Sequence, residues 1–346
     1  MNPLKKKNNL LLNELKKQKD LYKPTIFWQD LSNKFIQMFN KSGLKNFRRN
    51  KLANNFFVPL YTQTREGKMK EIISISKKNT FSKRFKTDII KFVSGENLAF
   101  KDYSTFKSGD LIKKLPYLQN FSESKFGNPK EQFIFEGKYF SRSSLNYLNG
   151  IVFLKQNTKN FVPKTILEIG GGFGSLAEIL KFSGIEKFKY LSIDLPPLSV
   201  VSEYYLKKIF GPNSISDSEK LLKKSKININ KLKKISCLQS WQIENLRGKI
   251  DLFVNFISFQ EMEPNVVANY LNYISKLKPK YILLRNLREG KQIKKKNKIG
   301  VKKPTKLKDY INCLKSNYKL VARNTIPFGY LTYDNFHSEL LLFKKI

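Results

Sequence analysis

The chain has 346 residues, with 66 Lys+Arg against 27 Asp+Glu and a formal net charge of +39. That length supports one large domain or two ordinary ones, and 40% apolar residues with 13% aromatics exclude a disordered polybasic tail. Cys237 and Cys313 are too few for a disulfide scaffold, read as core thiols and fit a reducing, cytoplasmic setting; no apolar run approaches a membrane span.

In chain order, Leu10-Leu11-Leu12 is too short for a secretory core despite flanking lysines. Phe27, Trp28, Leu31, Phe35, Ile36 and Phe39 recur at helical spacing after Pro24-Thr25, which predicts an amphipathic helix ended by Gly43. The Lys- and Ser-rich stretch from Thr62 to Gly109 carries no clear period. A helix over about Ser143 to Leu154 follows, expected to pack against the next region. Residues 1–160 therefore read as a helical and irregular N-terminal region that helps form an acceptor pocket.

From Val162 strands and helices alternate. Thr165–Ile169, Tyr190–Ile193, Ile235–Leu238, Asp251–Ile257 and Tyr281–Leu284 read as strands, with helices over Ser175–Phe182, Leu198–Phe210 and Pro264–Leu277. A lysine-rich loop, Lys291–Lys303, precedes a helix at Leu307–Leu314 and strands at Tyr318–Ala322 and Glu339–Phe343. The alternation predicts an α/β fold over 161–346, a mostly parallel sheet covered by helices. The final two strands, joined without a long helix, predict an antiparallel last strand.

The strongest motif is Glu168-Ile169-Gly170-Gly171-Gly172-Phe173-Gly174, set between a strand and a helix. Glycines allow a tight turn and close approach of a ligand, and a helix N-terminus offers unpaired amides. Asp194 ends the next strand, where a carboxylate can accept from both hydroxyls of a ribose. These residues resemble the first motif of class I S-adenosylmethionine-dependent methyltransferases, an acidic residue followed by Gly-x-Gly-x-Gly. The resemblance implies a Rossmann-like sheet and S-adenosylmethionine as cofactor. Glu168 would hold the methionyl amino group, Gly170, Gly171, Gly172, Phe173 and Gly174 would line the cofactor, and Asp194 with Leu195 would take the ribose. Tyr139 or Arg142 would cap the methionyl carboxylate, Gln239 and Ser258 would complete the cofactor site, and Trp241 would stand near adenine or in the core. Gly172-x-Gly174-x-x-Ala177 also fits the dinucleotide fingerprint, which keeps an NAD(P)-binding enzyme as an alternative.

The segment after the Asp251 strand reads Asn255-Phe256-Ile257-Ser258-Phe259-Gln260-Glu261-Met262, without the signatures of amino-group or cytosine C5 methylases. Glu168–Gly174, Ile193-Asp194-Leu195-Pro196, Ser258–Met262 and Phe336-His337-Ser338-Glu339 resemble the sugar O-methyltransferases found among bacterial polysaccharide genes. That likeness extends upstream to Phe135-Glu136 and Tyr139-Phe140-Ser141-Arg142. It implies as acceptor a sugar hydroxyl of a nucleotide sugar or of a polysaccharide or glycoconjugate intermediate, and Arg285 and Arg288 suit an anionic one. His337, the only histidine, and Glu261 are the candidate general bases. Gln260, Arg285 and Arg288 are the candidate acceptor contacts, since a guanidinium forks onto oxyanions. No spacing of ligands points to a metal.

The charge itself favours a nucleic-acid partner less than its size implies. Arginine, the residue that forks onto phosphate and guanine, occurs only nine times against 57 lysines. The surplus reads as a solvated lysine coat that steers anions, and specific nucleic-acid binding is not expected. An RNA or protein methyltransferase of the same fold, or a non-catalytic nucleic-acid-binding protein, remain the charge-based alternatives.

Overall fold

A computed structural model describes residues 3–62, 72, 74–75, 82–296, 298–332 and 334–346. Residues 63–71, 73 and 76–81 of the stretch without a clear period lie outside the described residues.

The C-terminal half is built on seven long strands: β1 (Thr165–Ile169), β2 (Lys189–Asp194), β3 (Ile235–Gln239), β4 (Leu252–Phe256), β5 (Tyr281–Leu287), β6 (Tyr318–Asn324) and β7 (His337–Lys345). Their order is β3-β2-β1-β4-β5-β7-β6; β7 runs antiparallel to both β5 and β6, and the pairs from β3 to β5 are parallel. The expected mostly parallel sheet with an antiparallel last strand is therefore present. The strands β1 to β5 are buried almost throughout, as strands covered on both faces must be. A short strand, Tyr330–Leu331, adds to the start of β7.

The described helices are α1 (Pro3–Lys16), α2 (Gln29–Ser42), α3 (Lys51–Phe56), α4 (Lys83–Ser94), α5 (Glu96–Gly109), α6 (Arg142–Gln156), α7 (Ser175–Lys181), α8 (Leu198–Phe210), α9 (Ser218–Leu222), α10 (Pro264–Lys276) and α11 (Leu307–Leu314). The helix expected after Pro24 starts only at Gln29, because Thr25–Trp28 forms a turn in which Trp28 N–H donates to the Thr25 carbonyl. It ends at Gly43, in the left-handed region at φ 62°. A hairpin, Phe133–Phe135 with Lys138–Phe140, lies in the stretch read as irregular. Cys237 is buried as expected, but Cys313 is exposed on the outer face of α11.

Residues on both sides of position 160 share one hydrophobic cluster, in which Phe35, Phe47 and Leu148 join Phe173, Leu206 and Leu340. Helix α6 lies at the centre of this arrangement, with 143–155 buried on every side. It approaches the sheet so closely that a Cβ on Gly150 would stand 2.3 Å from the Phe256 ring. A buried polar cluster fixes its start. The Ser141 and Ser144 hydroxyls donate to Glu123 at 2.9 and 3.1 Å, and Glu123 also pairs with fully buried Arg48. The cluster continues to α7 and α8, where Glu178 accepts from Ser124 N–H at 2.8 Å and from the Tyr205 hydroxyl at 2.7 Å.

Removing one member of a buried ion pair leaves a desolvated charge. Glu123→Leu is expected to destabilise the protein by about 3–5 kcal/mol in urea unfolding. A loss under about 1 kcal/mol would show that the Arg48 cluster does not hold the N-terminal region in place.

Candidate active site

The parallel strands end at one edge of the sheet, and a cavity of about 450 Å³ opens there. That size suits a small organic ligand. The glycine turn after β1 forms its floor, β2 and β4 its flanks, and the N-terminal segments around Trp28 and Phe56-Phe57 its cover.

Glu168 closes β1 beneath the turn and is fully buried. Its two carboxylate oxygens accept from the Tyr147 hydroxyl of α6, at 2.6 Å, and from the Tyr190 hydroxyl of β2, at 2.5 Å. Burial pushes its carboxyl up to about 7, against the two tyrosine hydrogen bonds. Glu168, expected at the methionyl amino group, lies behind the cavity lining with both oxygens held by the two tyrosines. It presents cavity-lining Tyr147 and supports Gly171, whose added Cβ would lie 2.6 Å from a Glu168 oxygen.

The turn needs glycine for two different reasons. Gly170 has φ 70°, and a Cβ there would meet the Ser258 hydroxyl at 2.0 Å. Gly172, at φ 61°, has only the Phe57 segment near it, at 3.5 Å, so its open side faces the cavity. Gly174 starts α7 and packs on Leu206, outside the cavity. Phe173 contributes to the wall, but its ring lies in the core against Phe47 and Tyr205, with the Arg48 guanidinium 4.9 Å from its centre.

Asp194 ends β2, next to the turn, where Gly170 N–H donates to the Ile193 carbonyl. The residue lines the cavity; its Oδ1 accepts from Leu195 N–H at 2.8 Å, and Oδ2 is closed off from solvent. Burial pushes the carboxyl up to about 7, opposed by the Leu195 and Gly172 backbone N–H groups and reinforced by the nearby Glu168 and Glu261 charges. Leu195, Leu198, Ser240, Val266 and Tyr270 continue the wall beyond it.

Glu261 supplies a third carboxylate, on the cavity surface. Its Oε2 accepts from Trp28 Nε1 at 3.1 Å and its Oε1 lies 3.5 Å from Lys291 Nζ. Burial raises its pKa, with Lys291 and Trp28 acting against the shift. Ser258, Gln260 and Arg142 also line the cavity. Gln260 is already engaged, since its Oε1 accepts from Leu287 N–H.

Several expected site residues lie elsewhere. His337 is not among the cavity-lining residues, although Phe336 beside it is; its Nδ1 lies 2.7 Å from Glu289 and its backbone N–H donates to the same carboxylate. Arg288 reaches back to Glu339 through Nε and Nη2, at 3.2 and 3.1 Å. Arg285 is buried behind the wall rather than on it. Tyr139 lies on the hairpin beneath Lys125, not at the cavity. Gln239 caps the turn after β3 by exchanging hydrogen bonds with Gln242. Trp241 is a core residue. The sequence reading also missed Tyr147 and Tyr330 as cavity residues, and took Trp28 only for a core position. Among the described residues, no cluster of acids, cysteines and histidines is placed to hold a metal, and no helix is long and apolar enough to cross a membrane.

No family model and no curated protein matches the chain. Among solved structures it is similar to a protein from Pyrococcus horikoshii, at 9% identity over 60% of this chain and 92% of that one, TM-score 0.40. It is also similar to a SAM dependent methyltransferase from Aquifex aeolicus, at 15% identity over 60% and 94%, TM-score 0.37. Magnesium protoporphyrin IX methyltransferase from Synechocystis, with bound SAM, matches at 10% identity over 58% and 79%, TM-score 0.38. At these TM-scores the likeness carries no argument about activity, which rests on the chain's own residues.

The raised carboxyls have a consequence for stability. A folded carboxyl titrating near 7 binds more protons than its unfolded counterpart between about pH 4 and 7, so stability falls as pH rises through that window. Asp194→Asn removes one such group. The variant is expected to be more stable than the parent by about 1 kcal/mol or more at pH 8, and to lose that advantage near pH 4. Urea unfolding at both pH values checks this; an advantage independent of pH would contradict the burial argument.

Proposed function

We propose that this protein is a class I methyltransferase that uses S-adenosylmethionine, and that it methylates a hydroxyl of a sugar or glycoconjugate. One observation carries the cofactor reading: the Asp194 carboxylate lines the cavity at the end of β2, beside a glycine turn whose open side faces the same space. A carboxylate there has lone pairs for further donors, and two adjacent ribose hydroxyls supply donors of the right kind. When bound, S-adenosylmethionine provides an electrophilic methyl group on a sulfonium.

The residues around it fit that chemistry. The glycine turn leaves room for the tail of the ligand and presents amides at the start of α7. Tyr147, stacked on Phe256 with ring centres 4.9 Å apart, and Trp28 give aromatic surface for a cationic centre. The N-terminal segments exclude water from above and restrict the attack angle of an acceptor, which is where alignment contributes to rate. Glu261 accepts the hydroxyl proton as the oxygen attacks, and its raised pKa makes it a better base than a solvated carboxylate. The aromatic faces of Phe27, Trp28 and Phe56 suit the C–H faces of a sugar ring.

Calorimetric titration of the protein with S-adenosylhomocysteine is expected to give saturable binding, and Asp194→Ala to weaken it by about tenfold or more. No binding to the folded protein, or tighter binding of NAD(P)H, contradicts the proposal. With a panel of sugar acceptors, Glu261→Gln is expected to lower kcat about 100-fold with little change in the KM for cofactor. Full turnover would clear Glu261 of the base role.

A further inference from the structure

Two of the nine arginines converge on one tyrosine ring. Arg142 starts α6 and Arg285 lies near the end of β5, yet their guanidinium carbons stand 5.6 and 5.1 Å from the centre of the Tyr330 ring. Tyr330 and Arg142 line the cavity, and Arg285 is buried behind them. Arg285 Nη1 donates to the Asn146 carbonyl at 3.1 Å, while its Nε has no partner. Arg142 Nη1 donates to the Leu60 carbonyl at 3.0 Å. Among the described residues neither guanidinium forms an ion pair. Two acids act on them without an ion pair: Asp102, which accepts from the Tyr61 hydroxyl and opposes the shift of Arg285, and Glu131, which accepts from Tyr61 N–H and the Thr62 hydroxyl and feels the Arg142 charge.

Two like charges held this close, one of them out of water, are costly without a negative partner. Burial is the main cause that lowers the Arg285 pKa; Tyr330, Asp102 and Tyr61 act against it, and the Arg142 charge adds to it. Tyr330 responds in the same sense. Burial would raise its phenol, but Arg142 and Arg285 outweigh this and leave it below its ordinary value, with Ser338 and Lys291 acting in the same direction. The cluster puts two guanidinium groups at this wall with no ion pair to either among the described residues, Asp102 and Glu131 opposing them only at longer range.

Strand order locates the wall. Asp194 and the glycine turn stand at the ends of β2 and β1, whereas Arg285 belongs to β5 and Tyr330 pairs with Ser338 of β7. Those strands lie two and three spacings beyond β1, about 10 and 14 Å along the sheet. A cofactor whose ribose is held at β2 leaves this end to the acceptor, so Arg142, expected from the sequence at the methionyl carboxylate, stands beside Tyr330 on the acceptor side instead.

We infer that Arg142 and Tyr330, with Arg285 behind them, form an oxyanion subsite for the acceptor, so that the sugar methylated carries a carboxylate or a phosphate. Arg142 offers its free N–H groups as a fork, the Tyr330 hydroxyl donates beside it, and Arg285 acts through Tyr330 as a positioning charge. The inference rests on the methyltransferase reading, because that reading assigns this end of the cavity to the acceptor.

The test uses the full chain saturated with S-adenosylhomocysteine, titrated calorimetrically with glucuronic acid, glucose 1-phosphate and glucose. At least one acid is expected to bind about tenfold tighter than glucose. Which acid does so separates the carboxylate from the phosphate. Arg142→Gln is expected to erase that preference and Arg142→Lys to retain part of it, with S-adenosylhomocysteine affinity within about threefold of the parent in both. Acids that bind no tighter than glucose would overturn the subsite. So would an Arg142→Gln variant that loses S-adenosylhomocysteine affinity, which would put Arg142 on the cofactor tail. Failure of the unaltered chain to bind S-adenosylhomocysteine would instead remove the methyltransferase reading, and this inference with it.

Discussion

Glu168 holds three parts of the molecule in one small volume. Its oxygens accept from a tyrosine of α6 and a tyrosine of β2, while its own strand, β1, leads directly into the glycine turn above it. Carboxylate and phenols are all buried, and each hydroxyl has the carboxylate as its partner. Any substitution there would strand a polar group out of water, a cost of one to several kcal/mol, on the order given for buried hydrogen bonds to charged groups. The turn, Tyr147 and the start of β2 are therefore tied together, and Asp194 lies four residues after Tyr190 along that strand.

A second consequence follows for the N-terminal half. Helix α6 is buried on all sides because it is pressed between the sheet and the helices that precede it. Those helices deliver Trp28 and Phe57 to the top of the cavity, so the cover of the site and the packing of α6 have the same origin. Three of the arginines serve this architecture. Arg48 pairs with Glu123 in the interior, and Arg288 and Arg323 both hold Glu339. The lysines lie mostly outside, which is consistent with the charge of +39 being chiefly a coat.

The backbone of the C-terminal half was legible because its signals are local. Apolar runs of five or six residues stopped by Gly170 or by Asp194-Leu195-Pro196 leave little freedom in where a strand ends. Asp194 was legible for the same reason, being fixed by its strand. His337, Tyr139 and Arg288 were not, because a strand or hairpin alternates its faces and a nearby acid decides where a long side chain points. Glu289 takes His337 and Glu339 takes Arg288, and neither pairing leaves a pattern in sequence spacing. Trp28, Tyr147 and Tyr330 reach the cavity through tertiary packing. The rarity of tryptophan could have flagged Trp28, but Tyr147 looks in sequence like any residue of a buried helix.

The claim on which the account turns is that the Asp194 carboxylate at the cavity takes ribose hydroxyls. A double-mutant cycle tests it directly: S-adenosylhomocysteine and its 2′,3′-dideoxyribose analogue, each titrated into the parent chain and into Asp194→Asn. The account predicts that removing the hydroxyls weakens binding to the parent strongly and to the variant little, a coupling of about 1–3 kcal/mol. Equal losses in both proteins would mean that Asp194 does not touch the ribose, and would contradict the account at its centre.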